Sequence, residues 1–174
     1  TCDFNRMYDY IKEDPRFVSL KGGKRNTIFA WVQREFRNLL KAREANVSVP
    51  TPLTFSNNVL VLEFIGDDGM FAPKLKDELP KNPKDFFDKI IANVKRLRKA
   101  KLVHADLSAF NILNYNEMPV FIDFSQSTTL ESSRANEFLE RDVRNICNFF
   151  RKLGLKLDDK KIKEQITGKK NKSN

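Results

Sequence analysis

Apolar residues recur every three or four positions in three long stretches of the chain, which is the spacing of one helix face. This spacing predicts helices over about 27–45, 82–100 and 134–153, followed by a short last helix over 158–168. Thr27 is predicted to cap the first helix, because its hydroxyl can accept a hydrogen bond from the first turn. The second helix opens with asparagine followed by proline, a common helix start.

Short runs of β-forming residues lie between these helices. They predict two hairpins, one pairing 53–55 with 59–65 and the other pairing 112–115 with 120–124. Residues 66–80 are rich in Gly, Pro and Asp and are predicted to form a loop. The order helix, hairpin, helix, hairpin, helix indicates an α+β fold.

The composition fits one globular domain with an uneven distribution of charge. The chain has 174 residues, of which 40% are hydrophobic, enough to bury a core. The formal net charge is +9, and residues 151–174 hold nine basic and three acidic residues, so this end contributes +6. A basic end favours phosphate-rich partners such as RNA, although a tail that only aids solubility fits the same charge.

Scarce residue types exclude several other classes of protein. Cys2 and Cys147 lie far apart and outside any CxxC pair, which favours a reduced, cytoplasmic protein over a secreted one. A single histidine excludes a metal cage of His and Cys ligands. The longest apolar run, 59–65, is interrupted by Glu63 and is far too short to cross a bilayer, so no membrane partner is expected.

The candidate chemistry lies in a loop and in the residues after the second hairpin: Asp106, Asn111 and Asp123. A loop followed by two antiparallel strands returns the chain to its start, so Asp123 is expected to face Asn111. A carboxylate and an amide carbonyl suit Mg²⁺, which also binds phosphate oxygens. Asp106 would then be free to accept a proton from, or orient, a hydroxyl or water attacking a phosphate. His104 is expected to pack within the loop rather than transfer protons.

The spacing HxDxxxxN followed by Ile-Asp-Phe resembles that of the protein-kinase-like phosphotransferases. More narrowly, LVHADLSAFNIL at 102–113 and IDFSQS at 122–127 are similar to the RIO kinases. The Ala of HADLS and the Ser-Gln-Ser triplet point to the RIO1 subfamily. The likeness runs over about 4–153 and includes EDPRF, REFRNL, VSVPTP, LVLEFIG and FLERDVRNI.

This resemblance implies a protein-kinase-like RIO fold with a partial N-lobe and a helical C-lobe. Residues 1–66 would be the remnant of the N-lobe with its helix and hinge, and 67–154 the C-lobe with the catalytic and metal-binding loops. Residues 155–174 would form a basic C-terminal helix and tail. No glycine-rich loop and no strand lysine of the family type precede Glu35, so the chain is expected to be an N-terminally truncated piece of the family domain.

The resemblance also assigns roles to Asp106, Asn111 and Asp123, which are called the acidic group below. Asp106 corresponds to the catalytic aspartate, and Asn111 and Asp123 to the ligands of the Mg²⁺ that accompanies ATP. In this family the counterpart of Asp123 is also implicated as the acceptor of a phospho-aspartate intermediate. Asp123 is therefore expected to be both a metal ligand and a catalytic residue.

Further roles follow for residues outside that group. The backbone of Glu63 and Ile65 would bond adenine at the hinge between lobes, with Leu62 at the back of the pocket. Glu35 matches the helix glutamate that pairs with the phosphate-binding lysine. Asp142 corresponds to the helix aspartate that anchors the backbone of the catalytic loop.

The function implied is an ATP-dependent serine/threonine kinase, or mainly an ATPase, in maturation of the small ribosomal subunit. Its partner would be a pre-small-subunit particle of rRNA and proteins. Only about ten residues separate Asp123 from the next helix, which is too few to present an extended peptide. Two alternatives stay open: a ribosome-assembly scaffold that binds nucleotide with little turnover, and a small-molecule kinase of the aminoglycoside type.

Overall fold

The structure, a computed structural model, describes residues 24–168. Within these residues the helices are α1 (Lys24–Glu44), α2 (Pro83–Lys99), α3 (Ala135–Lys152) and α4 (Asp159–Thr167). The short strands of the same part of the chain are β1 (Pro52–Ser56), β2 (Val59–Leu62), β3 (Gly66–Asp67), β4 (Met70–Phe71), β5 (Leu102–Val103), β6 (Ile112–Tyr115), β7 (Met118–Phe121) and β8 (Thr128–Thr129). Among these described residues, no helix combines the length and the apolar character that crossing a membrane requires.

The ends of α2 and α4 follow from local hydrogen bonds. Asn82 Oδ1 accepts the Asp85 N–H at 3.1 Å, and proline occupies the first turn, where its missing N–H costs nothing. Asp158 caps α4 in the same way, and Gly168 ends it with a left-handed φ of 68°. The predicted starts of α2 and α4 are confirmed.

One hydrophobic core connects all four helices. The Phe150 ring of α3 packs against Phe87 and Phe86 of α2, with ring centroids 5.3 and 6.5 Å apart. Leu39 of α1 and Ile166 of α4 belong to the same buried cluster. The loop between β5 and β6 is therefore supported by a packed framework of helices.

The strands form four antiparallel pairs rather than one continuous sheet. β6 and β7 join through Asn116 and Glu117, whose φ angles of 51° and 61° give a tight turn that matches strand twist. β5 pairs with β8, Leu102 opposite Thr129, which closes the long loop between these two strands at its base. The second predicted hairpin is confirmed, and the β5–β8 pair adds a contact that periodicity did not predict.

The start of α1 differs from the prediction. Thr27 is not a cap, because α1 already includes Lys24 and Arg25. It is 1% exposed and begins a buried stripe that continues through Ala30 and Trp31. The i, i+3, i+4 spacing of this stripe places Thr27 on the face packed against the protein.

Two predicted strands are shorter than expected. The strand predicted over 59–65 ends at Leu62, and the one predicted over 120–124 begins two residues earlier and ends at Phe121. Beyond Phe121 the chain turns, since Asp123 has a left-handed φ of 62° that no strand can contain.

The predicted loop over 66–80 contains the small hairpin β3–β4, which composition alone did not reveal. Gly66 is required there, because a Cβ at this position would lie 2.0 Å from the carbonyl oxygen of Met70.

Candidate active site

The loop that contains Asp106 is fixed at its base by buried groups. His104 is 2% exposed, and its Nε2 lies 3.1 Å from the carbonyl oxygen of Ile122, so this nitrogen must donate. Its ring centroid lies 4.7 Å from that of Phe124. Burial lowers the pKa of His104 to about 4, which keeps the ring neutral at physiological pH. This environment suits packing rather than proton transfer.

Asp106 and Asn111 are in direct contact. The Asn111 Nδ2 donates to the Asp106 carbonyl at 2.8 Å and to its Oδ2 at 3.2 Å. Burial raises the pKa of Asp106, and the negative charge of Asp123 raises it further, whereas Arg141 and Asn111 lower it. No hydrogen bond from the described residues reaches Asp106 Oδ1, so one carboxylate oxygen is held and the other is available.

Asp123 lies beside this pair at the end of the second hairpin. The neighbouring Ile122 N–H donates to the Asn111 carbonyl at 3.0 Å, which ties the two segments together. Asp123 Oδ1 accepts the Ser125 hydroxyl at 2.5 Å. The structure thus brings Asp106, Asn111 and Asp123 into one group.

The backbone of the loop is anchored by Asp142 of α3. Its two carboxylate oxygens accept the N–H groups of Ala105 and Leu107, both at 2.9 Å. Burial raises the pKa of Asp142 to about 7, although both N–H groups favour the ionised form. Arg141 donates to the Ala105 carbonyl, and Ala105 has a φ of 67°, which is unusual for a residue with a Cβ. The loop is therefore held in a strained conformation by neighbouring α3 side chains.

The segment after Asp123 is anchored by α1. Asn38 Nδ2 donates to the carbonyls of Ser127 at 3.0 Å and Phe124 at 3.3 Å, and Arg34 Nη2 donates to the Ser127 carbonyl at 2.9 Å. Glu35, on the same helix, has its pKa raised to about 7 by burial and by the negative charge of Asp123, against the effect of the Phe124 N–H. Glu35 thus lies within electrostatic reach of the acidic group.

The predicted adenine-binding residues lie on the connection after β2. Glu63 is exposed, and its carboxylate accepts the N–H and the hydroxyl of Thr51, which lower its pKa. Ile65 accepts the Ala72 N–H at 2.9 Å through its carbonyl. Within 24–168, neither the Glu63 carbonyl nor the Ile65 N–H has a backbone partner, so both could bond a ligand edge.

A small apolar cluster joins this hinge to the acidic group. Ile65 of the hinge and Ile122, the residue before Asp123, both pack against the buried side chains of Ala72, Leu113 and Val120. Leu62 packs against the main core instead. No hydrogen bond or ion pair of the described part links the hinge to Asp106, Asn111 or Asp123, so apolar packing, in the small cluster and in the main core, connects the hinge to these residues.

Comparison with models of protein families shows to which family the chain belongs. The model of the RIO domain, RIO1, matches residues 1–163. The chain belongs to the RIO1 family. A RIO-type serine/threonine-protein kinase Rio1 of Methanocaldococcus jannaschii is 45% identical over 170 residues, which cover 97% of this chain and 58% of the relative. The chain therefore spans a little over half of that relative's length.

Two further Rio1 proteins and a solved Rio2 structure are also similar to this chain. The Rio1 of Thermoplasma acidophilum is 36% identical, with 97% of this chain and 89% of the relative covered. The human serine/threonine-protein kinase RIO1 is 37% identical, with 81% and 26% covered. A crystal structure of the Rio2 kinase–ADP/Mg²⁺–phosphoaspartate complex from Chaetomium thermophilum has a TM-score of 0.66 and 25% identity, covering 83% of this chain and 46% of the other. The protein-kinase-like RIO fold predicted from sequence is confirmed.

The available side-chain oxygens of Asn111 and Asp123 suit a hard cation such as Mg²⁺. Because Asn111 Nδ2 faces Asp106, its Oδ1 points away from that contact, and no described residue donates to it or to Asp123 Oδ2. Over 24–168, no three His, Cys, Asp or Glu side chains cluster as a complete metal site. Two oxygen ligands with room for phosphate oxygens fit Mg²⁺ better than a protein-only cage would.

Several supporting residues of the RIO domain were missed by sequence analysis. Arg34 and Asn38 are 1% and 0% exposed, and they anchor the turn after Asp123. Gln126 Nε2 lies 3.4 Å from Asp106 Oδ2. Polar residues on the buried stripe of α1 were a signal for the first two, whereas the Gln126 contact had none beyond its place in the Ser-Gln-Ser motif.

Proposed function

We propose that this chain is the catalytic part of an ATP-dependent serine/threonine phosphotransferase that uses Mg²⁺. The observation that supports this most directly is the hydrogen bond from Asn111 to Asp106, with Asp123 close enough to affect the charge of Asp106. The Rio1 relatives named as serine/threonine-protein kinases support the reaction class. The Rio2 complex with ADP and Mg²⁺ supports the cofactors.

In this proposal Asp106 is the group that handles the substrate hydroxyl. Its Oδ1 accepts the hydrogen bond of the hydroxyl and removes the proton as the hydroxyl oxygen bonds to the γ-phosphorus of ATP and the bond to the ADP oxygen breaks. A raised pKa makes the carboxylate a stronger base than a fully solvated aspartate. Burial of Asp106 by the loop therefore supports proton acceptance as well as folding.

Asn111 and Asp123 would hold the metal through Asn111 Oδ1 and Asp123 Oδ2. When bound, Mg²⁺ supplies positive charge to the phosphate oxygens. Adenine would bond the Glu63 carbonyl and the Ile65 N–H, with Leu62 at the back of the pocket. The Ile65–Ile122 cluster supports this by fixing the hinge relative to Asp123.

We also propose that the protein acts in the cytoplasm on a pre-small-subunit ribosomal particle of rRNA and proteins. The charge of +6 over residues 151–174 supports contact with phosphate-rich RNA. Cys147 is a free, buried thiol, and the absence of a disulfide among residues 24–168 is compatible with a reducing compartment.

The test compares ATP turnover of the protein with that of Asp106→Asn, measured as phosphate release and autophosphorylation. Loss of the base should lower turnover at least ~100-fold and leave nucleotide affinity within about threefold. Glu131→Gln is the matched control, because Glu131 is exposed and no hydrogen bond or ion pair within residues 24–168 involves its carboxylate, and it should turn over like the parent protein. Equal rates for Asp106→Asn and the parent would refute the phosphotransferase.

A further inference from the structure

Three consecutive residues after the second hairpin bond to three different parts of the site. Ser125 Oγ donates to Asp123 Oδ1 at 2.5 Å. Gln126 Nε2 donates to Asp106 Oδ2 at 3.4 Å. Ser127 Oγ donates to the His104 carbonyl at 3.0 Å. The proposed function uses the two aspartates but leaves this Ser-Gln-Ser triplet without a role.

The backbone of the triplet is fixed from outside. The Ser127 carbonyl accepts both Arg34 Nη2 and Asn38 Nδ2, at 2.9 and 3.0 Å. Both donors are almost completely buried, where loss of a hydrogen-bond partner costs the full desolvation of the group. Gln126 therefore extends from a turn that cannot shift easily, and its reach toward Asp106 is set by the fold.

The two carboxylate oxygens of Asp106 differ in their hydrogen-bond partners. Oδ2 has both donors, Asn111 at 3.2 Å and Gln126 at 3.4 Å, and Oδ1 has none among the described residues. Asn111 belongs to the same loop as Asp106, so its bond moves with the loop. Gln126 follows Asp123, so its bond links the segments that contain the two carboxylates.

We propose that Gln126 is a positioning residue that fixes the orientation of the Asp106 carboxylate and its separation from Asp123. This rests on the proposed phosphotransferase function. The carboxylate is held through Oδ2, and Oδ1 points to the place where a substrate hydroxyl binds. Ser125 acts on Asp123 instead, so the two residues should affect different kinetic quantities.

The first test is a comparison of kcat and of the KM for ATP in the parent protein and four variants. Gln126→Ala should lower kcat about tenfold and leave KM within about twofold, because the carboxylate is misaligned while the nucleotide contacts remain. Gln126→Glu should lower kcat further, since a second carboxylate would face Asp106. Ser125→Ala should instead raise the Mg²⁺ concentration needed for half-maximal turnover. Gln165→Ala, an exposed glutamine of α4, is the control and should match the parent.

Three outcomes would overturn the proposal when the parent protein is active. They are an unchanged kcat in Gln126→Ala, a fall in kcat matched by a rise in KM, and a fall in kcat that only follows a lower melting temperature. Each leaves the phosphotransferase function in place.

A second test needs no turnover, so it decides the proposal even if the parent protein proves inactive and the proposed function fails. The side-chain amide protons of Gln126 should exchange with water more slowly than those of Gln165, measured by NMR. In Asp106→Ala the Gln126 protons should exchange as fast as those of Gln165. Fast exchange at Gln126 in the parent protein, or no change in Asp106→Ala, would refute the contact.

Discussion

The loop from His104 to Asn111 and the hinge from Leu62 to Gly66 are expected to contact the same nucleotide, yet they are built differently. The loop is fixed by a buried side chain from a distant element, since Asp142 of α3 accepts two of its N–H groups. The hinge is fixed by main-chain hydrogen bonds, from Glu63 to Thr51 and from Ala72 to Ile65, and by the apolar packing of the Ile65 side chain. Its Glu63 and Phe64 side chains are exposed.

This difference separates the residues on which each region depends. The loop needs particular side chains at positions far away in sequence, because each satisfies a buried backbone group with a fixed geometry. The hinge needs its backbone path, and Gly66 is the one position there that tolerates no side chain. Substitutions at α3 should therefore damage the loop more than side-chain substitutions at the hinge damage adenine binding.

The largest expected effect is that of Asp142→Ala on stability. The change leaves the N–H groups of Ala105 and Leu107 buried without acceptors, which should cost about 3–5 kcal/mol. Urea denaturation of the two proteins measures this difference. Glu140→Ala on the same helix removes an exposed ion pair with Lys163 and should cost at most about 1 kcal/mol. Similar losses for both variants would contradict the special role of Asp142.

The second effect is a pH dependence of stability that originates at His104. Folding lowers the pKa of His104 from 6.5 to about 4, so between these values the unfolded chain binds a proton that the folded chain does not. The stability from this residue is complete above about pH 6.5 and falls as the pH drops toward 4, by about 3 kcal/mol in total. His104→Gln, which keeps a donor for the Ile122 carbonyl, should lack this loss.

The measurement is the free energy of unfolding of both proteins from pH 7 to pH 4. The raised pKa values of Glu35 and Asp142 act in the opposite direction, since the folded chain gains protons there as the pH falls. Only the difference between parent protein and variant isolates His104. A difference that stays constant over this range would show that His104 is not held neutral by the fold.

The sequence predicted the parts of the fold that depend on local signals. The apolar stripe of α3, the cap of α2 and the β6–β7 hairpin depend on residues a few positions apart. The spacing from Asp106 to Asn111 also lies within one loop, and the structure places the two in contact. The roles of these residues stay predictions until they are tested.

The parts that could not be predicted depend on distant contacts. On α1 the apolar Leu40 is 37% exposed, while the polar Arg34 and Asn38 are buried, which is the reverse of what their hydropathy predicts. Their acceptors at Phe124 and Ser127 are 86 to 93 residues away in the chain, so no local pattern could reveal that these polar groups would be satisfied. Gln126 reaches Asp106 across 20 residues for the same reason.

The smallest expected effect concerns the hinge. If adenine is bonded by the backbone, Ile65→Pro removes the N–H and should weaken binding of ADP with Mg²⁺ about tenfold, the value of one hydrogen bond. Glu63→Ala should change the affinity less than about threefold, because the Glu63 carboxylate bonds Thr51. Isothermal calorimetry measures both.

Tripolyphosphate distinguishes a lost adenine contact from a distorted hinge, since it has phosphates and no base. Its affinity should be the same in Ile65→Pro as in the parent protein, because Asn111 and Asp123 are unchanged. The Ile65 carbonyl that accepts the Ala72 N–H is kept in this variant, whereas the packing of the Ile65 side chain on Ala72, Leu113 and Val120 is reduced, so the tripolyphosphate comparison is needed. A larger loss in Glu63→Ala than in Ile65→Pro would mean that a side chain reads the base, and the contrast between the hinge and the loop would then be wrong.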